Sequence, residues 1–205
     1  MSVLAYGEDP LTFWAVCFGL RSVLGQLGDQ TPTEEATVIY RPSFGRRAGS
    51  ETQRRSEFGE FDAIVGTPAG IYLIETKWNG SSEFKNGMIA LRDEQIRRHD
   101  VLRRYLALWR KQPPASSDAF YASCRDSLES MCNTLTVPRR NTKLARNLSF
   151  VLQTLAPLGH KIHDVLVFVA LDNDPFASHV SPKSFRLVNL RRRTTGGTAY
   201  FVLDG

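Results

Sequence analysis

Two short apolar runs joined by a tight turn constrain the fold of this chain more than any other feature. Residues 58–65 and 71–78 are rich in β-branched and aromatic side chains, and the sequence Gly66-Thr-Pro-Ala-Gly70 lies between them. Such runs, separated by a segment that contains glycine and proline, are typical of a β-hairpin. The second run reads Ile-Tyr-Leu-Ile before its first charged residue, which indicates a strand that is buried on both faces.

The length of the turn predicts the register of this hairpin. A four-residue loop, 67–70, whose last residue is a glycine free to take positive φ, pairs Gly66 with Ile71. Counting back from that pair places Asp62 directly opposite Glu75. Cross-strand neighbours have Cβ atoms about 5 Å apart. The sequence therefore predicts two carboxylates side by side at one end of the hairpin.

A lysine accompanies the two acids. Side chains alternate along a strand, so Glu75 and Lys77 emerge on the same face. Two carboxylates as close as Asp62 and Glu75 repel each other unless a positive charge lies between them. Mg²⁺ suits this position because it takes one or two carboxylates together with water and phosphate oxygens. Lys77 is then placed to orient the attacking water and to stabilise charge on a phosphate.

These residues resemble a known family. Asp62, twelve intervening residues and then Glu75-Thr76-Lys77 match the D…ExK motif of the PD-(D/E)xK nuclease superfamily. More narrowly, EFDAIV at residues 60–65 and GIYLIETKWNG at residues 70–80 are similar to the hairpin of the nuclease-related (NERD) domain. Phe61 stands where the name of the motif has proline. The resemblance covers about a tenth of the chain.

The resemblance implies a fold and an activity. The fold is an α/β domain with a mixed central β-sheet flanked by helices, which is a restriction-endonuclease-like core. The activity is hydrolysis of phosphodiester bonds, with DNA as the expected substrate and Mg²⁺ as the cofactor, for which Mn²⁺ can substitute. Asp62, Glu75 and the carbonyl of Thr76 are the implied metal ligands, and Lys77 is the implied catalytic lysine. The resemblance leaves open whether the protein forms a homodimer or belongs to a larger nuclease complex.

The resemblance also suggests further site residues. Superfamily members often add an acid from the first helix, which makes Glu8 the candidate catalytic and metal-binding residue, with Glu34 and Glu35 as rivals. Many members carry a glutamine in the helix after the ExK strand, and Gln95 occupies such a position. His99 follows one turn later, and we interpret it as a core histidine. Glu8 could instead simply complement the dipole of its helix.

Seven arginines are candidates for binding the sugar-phosphate backbone, because arginine neutralises phosphate charge regardless of base sequence. They are Arg46, Arg47, Arg54, Arg55, Arg98, Arg191 and Arg192. The first four lie in a basic stretch with almost nothing to bury, and the last two lie near the end of the chain. A solvated surface explains the same charges equally well. A non-cutting nucleic-acid-binding or scaffold module of the same fold is accordingly the alternative function.

Length and composition predict one soluble domain over residues 1–205, with residues 111–160 as a candidate helical insertion. The formal net charge of +5 favours an anionic partner such as DNA. The cysteines, Cys17, Cys124 and Cys132, form no C-x-x-C pair, so free thiols in a cytoplasmic protein are expected. The apolar segment 11–20 is too short to span a bilayer and lacks the charge of a signal peptide, so no membrane partner is expected.

Periodicity and turn signals predict the remaining elements. Asp9 is the expected N-cap of a helix that continues to Gly28. The other predictions are a strand over 37–44, a long helix from 84 or 88 to 111, helices over 119–133 and 141–156, an interior strand over 164–171 and a terminal hairpin of 185–190 with 199–203.

Overall fold

The structure is a computed structural model, and it describes residues 3–43, 60–111, 120, 142–196 and 198–203. The chain divides into two compact units. The first unit comprises Met1–Tyr40, Asp62–Arg92 and Gly159–Gly205, and the second comprises Arg41–Phe61 and Asp93–Leu158. Helices and strands both contribute to the described residues, so the protein is of the mixed α/β class that the sequence predicts.

Helices and strands occur in runs along the described residues. The helices are α1 (Glu8–Cys17), α2 (Leu20–Leu27), a 3₁₀ turn (Thr33–Glu35), α3 (Asp93–Lys111) and α4 (Lys143–Leu155). The strands are β1 (Val3–Ala5), β2 (Thr37–Tyr40), β3 (Ala63–Gly66), β4 (Ile71–Trp78), β5 (Phe84–Lys85), β6 (Met88–Ala90), β7 (Ile162–Leu171), β8 (His179–Ser181), β9 (Arg186–Arg192) and β10 (Phe201–Leu203). None of the helices in the described ranges is long and apolar enough to cross a membrane.

A five-stranded mixed sheet is the centre of the first unit, in the order β2-β3-β4-β7-β9. The β3 strand is antiparallel to both β2 and β4, whereas β4 pairs with β7 and β7 pairs with β9 in parallel. Two smaller sheets accompany it, β1 with β10 and β5-β6-β8. The predicted mixed sheet is confirmed, and β7 is the interior strand that the apolar run at 164–171 predicts.

The hydrophobic core of the first unit lies between one face of this sheet and helices α1 and α2. Leu11 and Leu24 come from the helices, Ile74 and Val167 come from the central strands, and Phe201 comes from β10. All five are almost completely buried. Each fully buried aliphatic or aromatic side chain contributes about 1.5–3 kcal/mol relative to an exposed one, so these helices hold the sheet firmly.

The hairpin formed by β3 and β4 has the predicted register. Gly66 pairs with Ile71, and Ala63 pairs with Ile74. The ladder ends at this pair, and Asp62 lies in a bend one residue before β3, at the position that the same register assigns opposite Glu75. Gly70, however, does not adopt a positive φ, so that part of the prediction is wrong. The turn is stabilised by hydrogen bonds instead of by a left-handed residue.

A buried carboxylate fixes the turn end of the hairpin. Asp29 lies just after α2, and its Oδ2 accepts hydrogen bonds from Thr67 Oγ1 at 2.7 Å and from the Tyr72 hydroxyl at 2.8 Å. Asp29 Oδ1 accepts from the Thr31 N–H at 2.8 Å. Burial opposes ionisation, but these hydrogen bonds prevail and hold the pKa of Asp29 below its ordinary value. The carboxylate thus stays charged and ties the loop before β2 to the turn.

A second glycine explains how closely the chain packs at this turn. Gly159 donates its N–H to the Thr67 carbonyl at 3.1 Å, and a Cβ at this position would lie 2.4 Å from the Gly70 nitrogen. Substituting Gly159→Ala is expected to lower the free energy of unfolding by about 1–3 kcal/mol, because backbone must shift to make room.

Denaturant unfolding of the variant measures this effect. Gly25→Ala is the matched control, because a Cβ there meets nothing within 4 Å and the residue lies inside α2. Alanine in a helix is about 0.5–1 kcal/mol better than glycine, so the control should be neutral or stabilising. Equal unfolding midpoints for Gly159→Ala and the unmodified protein would contradict the packing argument.

The first helix differs from its prediction. Instead of one helix up to Gly28, α1 and α2 are separated at Phe18 and Gly19. A Cβ at Gly19 would lie 3.0 Å from the Ala15 carbonyl oxygen, so the chain turns where only glycine fits easily. The predicted N-cap, Asp9, is also wrong, because α1 begins at Glu8. Gly28 ends α2 in the left-handed conformation, as its position predicts.

The long helix begins later than predicted. Residues 84–90 form β5 and β6, and α3 starts only at Asp93. The apolar spacing from Met88 to Leu91 fits a helix, but the segment instead pairs with β8 in the small sheet. The predicted strand over 37–44 ends at Tyr40, and its pairing with the hairpin is confirmed.

The predicted terminal hairpin is wrong. The β9 strand runs parallel to β7 at the edge of the central sheet, and β10 pairs with β1 from the other end of the chain. A short apolar strand contains no signal for its distant partner, and here the partner lies at the other end of the chain, with Val3 opposite Leu203.

The second unit contains α3 and α4. Arg110 near the end of α3 donates hydrogen bonds to the carbonyls of Ala156 at 3.2 Å and Leu158 at 3.2 Å, beyond the end of α4. The α4 helix confirms the prediction over 141–156, and Leu152 and Leu155 are buried as expected. The apolar spacing of this helix also predicts a buried Phe150, and this prediction is wrong because Phe150 is 65% exposed. The predicted helix over 119–133 lies outside the described residues, apart from position 120.

Candidate active site

Two charged side chains are buried at the carboxyl end of β4. Glu75 is 1% exposed and Lys77 is 3% exposed, although acids and lysines seldom lose so much contact with water. The alternation along β4 sets both on the same face, after the apolar Ile71 and Leu73. Burying a charged group costs free energy unless the group is paired, so the charges of Glu75 and Lys77 must be stabilised by their neighbours.

Asp62 lies just before β3 and reaches the backbone of β4. Its Oδ2 accepts a hydrogen bond from the Thr76 N–H at 2.7 Å. Burial and then repulsion from Glu75 raise the pKa of Asp62 to about 7, although Lys77 and the Thr76 N–H favour the charged form. The negative charge of Glu75 thus acts on the Asp62 carboxyl, although burial is the larger cause of the raised pKa.

Glu8 joins the site from the first residue of α1. Its Oε1 lies 2.7 Å from Lys77 Nζ, and its Oε2 accepts a hydrogen bond from Ser81 Oγ at 3.0 Å. The preceding residue, Gly7, has φ 93° and ψ −174°, a conformation that is essentially restricted to glycine. This turn directs α1 so that its first side chain meets the end of β4.

Lys77 is the centre of the site. Its Nζ donates to Glu8 Oε1 and, at 2.8 Å, to the carbonyl of Thr76. Burial alone would lower the pKa of Lys77, but the negative charges of Glu8 and Asp62 outweigh burial and raise it. Lys77 is therefore an ammonium ion at neutral pH, and it acts as a hydrogen-bond donor and a positive charge.

Sequence reasoning missed two residues of the turn that follows β4. Ser81 Oγ accepts a hydrogen bond from the Trp78 N–H at 3.0 Å while it donates to Glu8, so it fixes the acid to the turn. Glu83 interacts electrostatically with Lys77 and forms an ion pair with Arg92 at 2.7 Å. The turn signal Asn-Gly-Ser-Ser was visible in the sequence, but its contact with α1 was not.

The other acidic and polar candidates lie elsewhere. Glu34 and Glu35, the rivals of Glu8, are exposed in the 3₁₀ turn, and the contacts that bring Glu8 to Lys77 favour Glu8. Gln95 is a partly buried residue of α3 in the second unit. His99 is buried in the same unit with its ring 5.2 Å from that of Phe61, which agrees with its interpretation as a core histidine.

The seven arginines proposed to bind the sugar-phosphate backbone lie in different parts of the chain. Arg46, Arg47, Arg54 and Arg55 lie outside the described residues. Arg98 lies 5.6 Å from the ring centroid of Phe61 in the second unit. Arg191 donates to the carbonyls of Asp172 and Asp174 and stacks on Phe176, whereas Arg192 donates to the Val202 carbonyl and stacks on Trp14. The last two arginines thus have structural contacts within the first unit.

Within the described ranges, no three Asp, Glu, His or Cys side chains form a group that could hold a metal ion by themselves. Comparisons with family models, curated proteins and solved structures found no match to this chain.

Proposed function

We propose that the protein is a metal-dependent nuclease with a restriction-endonuclease-like core, which hydrolyses phosphodiester bonds of DNA at Asp62, Glu75 and Lys77. The observation that carries this proposal is the buried Lys77 ammonium beside acids from three different elements. The negative charges of Glu8, Asp62 and Glu75 all act on this one lysine, which supports a site that binds a metal cation together with an anionic substrate.

The donor set fits Mg²⁺. This ion keeps several waters and takes one or two carboxylates from a protein, which matches a site built on Asp62 and Glu75. Burial, and after it repulsion from Glu75, raises the pKa of Asp62, and a bound cation would offset both by stabilising the charged carboxylates. We assign these two side chains and the carbonyl of Thr76 as ligands. When bound, Mg²⁺ supplies Lewis-acid stabilisation of negative charge on the phosphate.

Glu8 has a different role in this proposal. Both of its carboxylate oxygens already accept hydrogen bonds, one from Lys77 and one from Ser81. These contacts favour Glu8 as the residue that positions the lysine over its use as a metal ligand. It also holds the charge on Lys77, because its negative charge raises the lysine pKa.

Lys77 then acts on the reacting atoms. Its ammonium has three donors, of which two contact Glu8 and the Thr76 carbonyl. The third donor is available to orient the attacking water or to bind a phosphate oxygen as negative charge develops. Because its pKa is raised, Lys77 does not remove the proton from the water, so it stabilises charge in the transition state.

Cleavage of plasmid and single-stranded DNA with Mg²⁺ or Mn²⁺, and with EDTA in place of metal, tests the proposal. We expect cleavage by the unmodified protein only with metal, and its loss in Glu75→Gln, which keeps the shape of the side chain but removes the charge. Glu34→Gln, on an exposed glutamate, is the matched control and should cleave normally.

Equal cleavage by the unmodified protein and Glu75→Gln would overturn the assigned site. DNA binding without cleavage under either metal would favour the alternative, a non-cutting nucleic-acid-binding module.

A further inference from the structure

A nearly buried acid holds an exposed arginine in the segment that follows β4. The Nη2 of Arg92 lies 2.7 Å from Glu83 Oε1 and donates a hydrogen bond to Ser82 Oγ at 3.3 Å. The Ser82 hydroxyl in turn donates to Glu83 Oε2 at 2.9 Å. The side chain of Glu83 is only 11% exposed, whereas that of Arg92 is 62% exposed. All three residues belong to the first unit.

The packing of β5 brings this ion pair to the face of the sheet that carries the candidate active site. Lys77 pairs with Phe168 of the neighbouring strand β7, so their side chains lie on the same face. Phe84 of β5 packs on Phe168, with ring centroids 4.6 Å apart. Because Glu83 directly precedes Phe84, its ion pair adjoins the face of the sheet on which Glu75 and Lys77 lie.

Electrostatic interactions also connect Glu83 to Lys77. Burial alone would raise the pKa of Glu83, but its hydrogen bonds and the positive charges of Lys77 and Arg92 outweigh burial and lower it. Glu83 is therefore an anion at neutral pH, and both cations act on it. The guanidinium of Arg92 thus shares an electrostatic environment with the lysine of the candidate active site.

Backbone hydrogen bonds fix the point from which the arginine extends. The N–H of Leu91, the residue before Arg92, donates to the Ser181 carbonyl at 3.0 Å. One residue earlier, the Ala90 N–H donates to the carbonyl of Glu83 at 3.2 Å. The backbones of the acid and of the arginine are therefore tied together, and the guanidinium reaches solvent from a defined position.

Stability does not explain this arrangement. Ion pairs with an exposed partner contribute little to stability, whereas burial of a carboxylate costs free energy. A nearly buried acid that holds a mostly exposed arginine instead orients the guanidinium toward a partner outside the chain. A guanidinium presents five N–H donors in one plane, an arrangement that matches the oxygen atoms of a phosphate.

On the basis of the proposed function, we infer that Arg92 binds a DNA phosphate next to the scissile one, and that Glu83 and Ser82 position its guanidinium. Lys77 acts at the reacting phosphate, while Arg92 holds the backbone beside it. A phosphate contact fixes the register of the strand in the site without selecting a base sequence. It also makes DNA binding salt-dependent, because each neutralised phosphate releases counterions.

The salt dependence of DNA binding in EDTA tests this inference without cleavage. Fluorescence anisotropy measures Kd for a labelled oligonucleotide, as a single strand and in a duplex, between about 50 and 200 mM salt. With the form that binds more tightly, Arg92→Gln should reduce the slope of log Kd against log salt by about 0.7–0.9 and raise Kd roughly five- to tenfold near 0.1 M salt. Arg92→Lys keeps the charge and should retain the slope. Arg21→Gln, at an exposed arginine of α2, is the matched control and should bind like the unmodified protein.

A further variant separates phosphate binding from the ion pair. Glu83→Gln breaks the ion pair but keeps the arginine, so its salt slope should equal that of the unmodified protein. In cleavage with Mg²⁺, Arg92→Gln should raise KM and leave kcat within about twofold, because the contact holds the substrate and the transition state alike. An unchanged slope in Arg92→Gln, or the same loss of slope in Glu83→Gln or Arg21→Gln, would overturn the inference.

The two proposals fail in different assays. A protein that loses salt slope only through Arg92→Gln, but cuts nothing with metal, would retain the phosphate contact and refute the nuclease. A protein that cuts DNA with metal, while Arg92→Gln changes neither the slope nor KM, would do the reverse.

Discussion

Replacing Lys77 with methionine is expected to slow DNA cleavage about a hundred- to a thousandfold, which is the usual effect of removing one donor that stabilises charge in a transition state. The side chain is 3% exposed and contacts Glu8 and the Thr76 carbonyl. Methionine fills a similar volume but provides neither a charge nor a donor. The rate is measured on plasmid DNA under saturating metal.

The affinity for metal separates this role from a structural one. Lys77→Met removes a positive charge beside the acids, so the affinity for Mg²⁺ or Mn²⁺ should stay equal or increase, as measured by calorimetry. Glu75→Gln should weaken the affinity instead. Lys85→Met, at an exposed lysine of β5, is the matched control and should leave both cleavage and metal binding unchanged. Normal cleavage by Lys77→Met would remove the lysine from the mechanism.

The second large effect concerns stability without metal. The pKa of Asp62 is about 7 in the folded protein, whereas an unfolded aspartate has a pKa of about 3.9. The folded state therefore holds this proton more tightly, and stability falls as pH rises from about 4 to about 7. Above pH 7 the Asp62 carboxylate is charged in both the folded and the unfolded protein. The folded protein then bears the full cost of burying this charge near Glu75. Asp62→Asn removes this charge and keeps an acceptor for the Thr76 N–H.

We expect Asp62→Asn to increase the free energy of unfolding by about 1–3 kcal/mol at pH 8 in EDTA and to have little effect at pH 4. Each kcal/mol corresponds to roughly 2–4 °C in Tm for a chain of this size. Asp100→Asn, at an exposed aspartate of α3, should change stability by less than about 0.5 kcal/mol at either pH. A lower Tm for Asp62→Asn at pH 8 would contradict the raised pKa.

At pH 8 with Mg²⁺, the unmodified protein should become more stable than Asp62→Asn, which is the opposite of the order expected in EDTA. A ligand that binds only the folded state raises stability by mass action, so Mg²⁺ should raise the Tm of the unmodified protein. Asp62→Asn, which lacks one of the assigned ligands, should respond less. Identical increases in Tm would show that Asp62 is not a metal ligand.

The hairpin was predictable because two local signals agree on it. Alternation along the strands and the four-residue loop both set Asp62 opposite Glu75, and the observed pairing of Ala63 with Ile74 confirms that register. Apolar runs likewise identified β7 as an interior strand. Such features depend on neighbouring residues, and the sequence contains their complete pattern.

The remaining features depend on contacts between distant segments. Nothing local indicates that β10 pairs with β1, or that β9 lies parallel to β7. Residues 84–90 satisfy helical spacing and still form strands, because β8 offers them backbone partners. Glu8 was a candidate on resemblance alone. Its contact with Lys77 depends on how Gly7 directs α1, which the order of residue types does not reveal.

The buried Asp29 cluster has a consequence for the opposite end of the hairpin. Hydrogen bonds from Thr67 and Tyr72 hold the turn, and the core holds both strands. These contacts resist fraying of the hairpin, so the repulsion between Asp62 and Glu75 persists in the folded protein. In the proposed nuclease this repulsion favours binding of a cation, and the hydrogen bonds at the distant turn thereby contribute to the proposed affinity for metal.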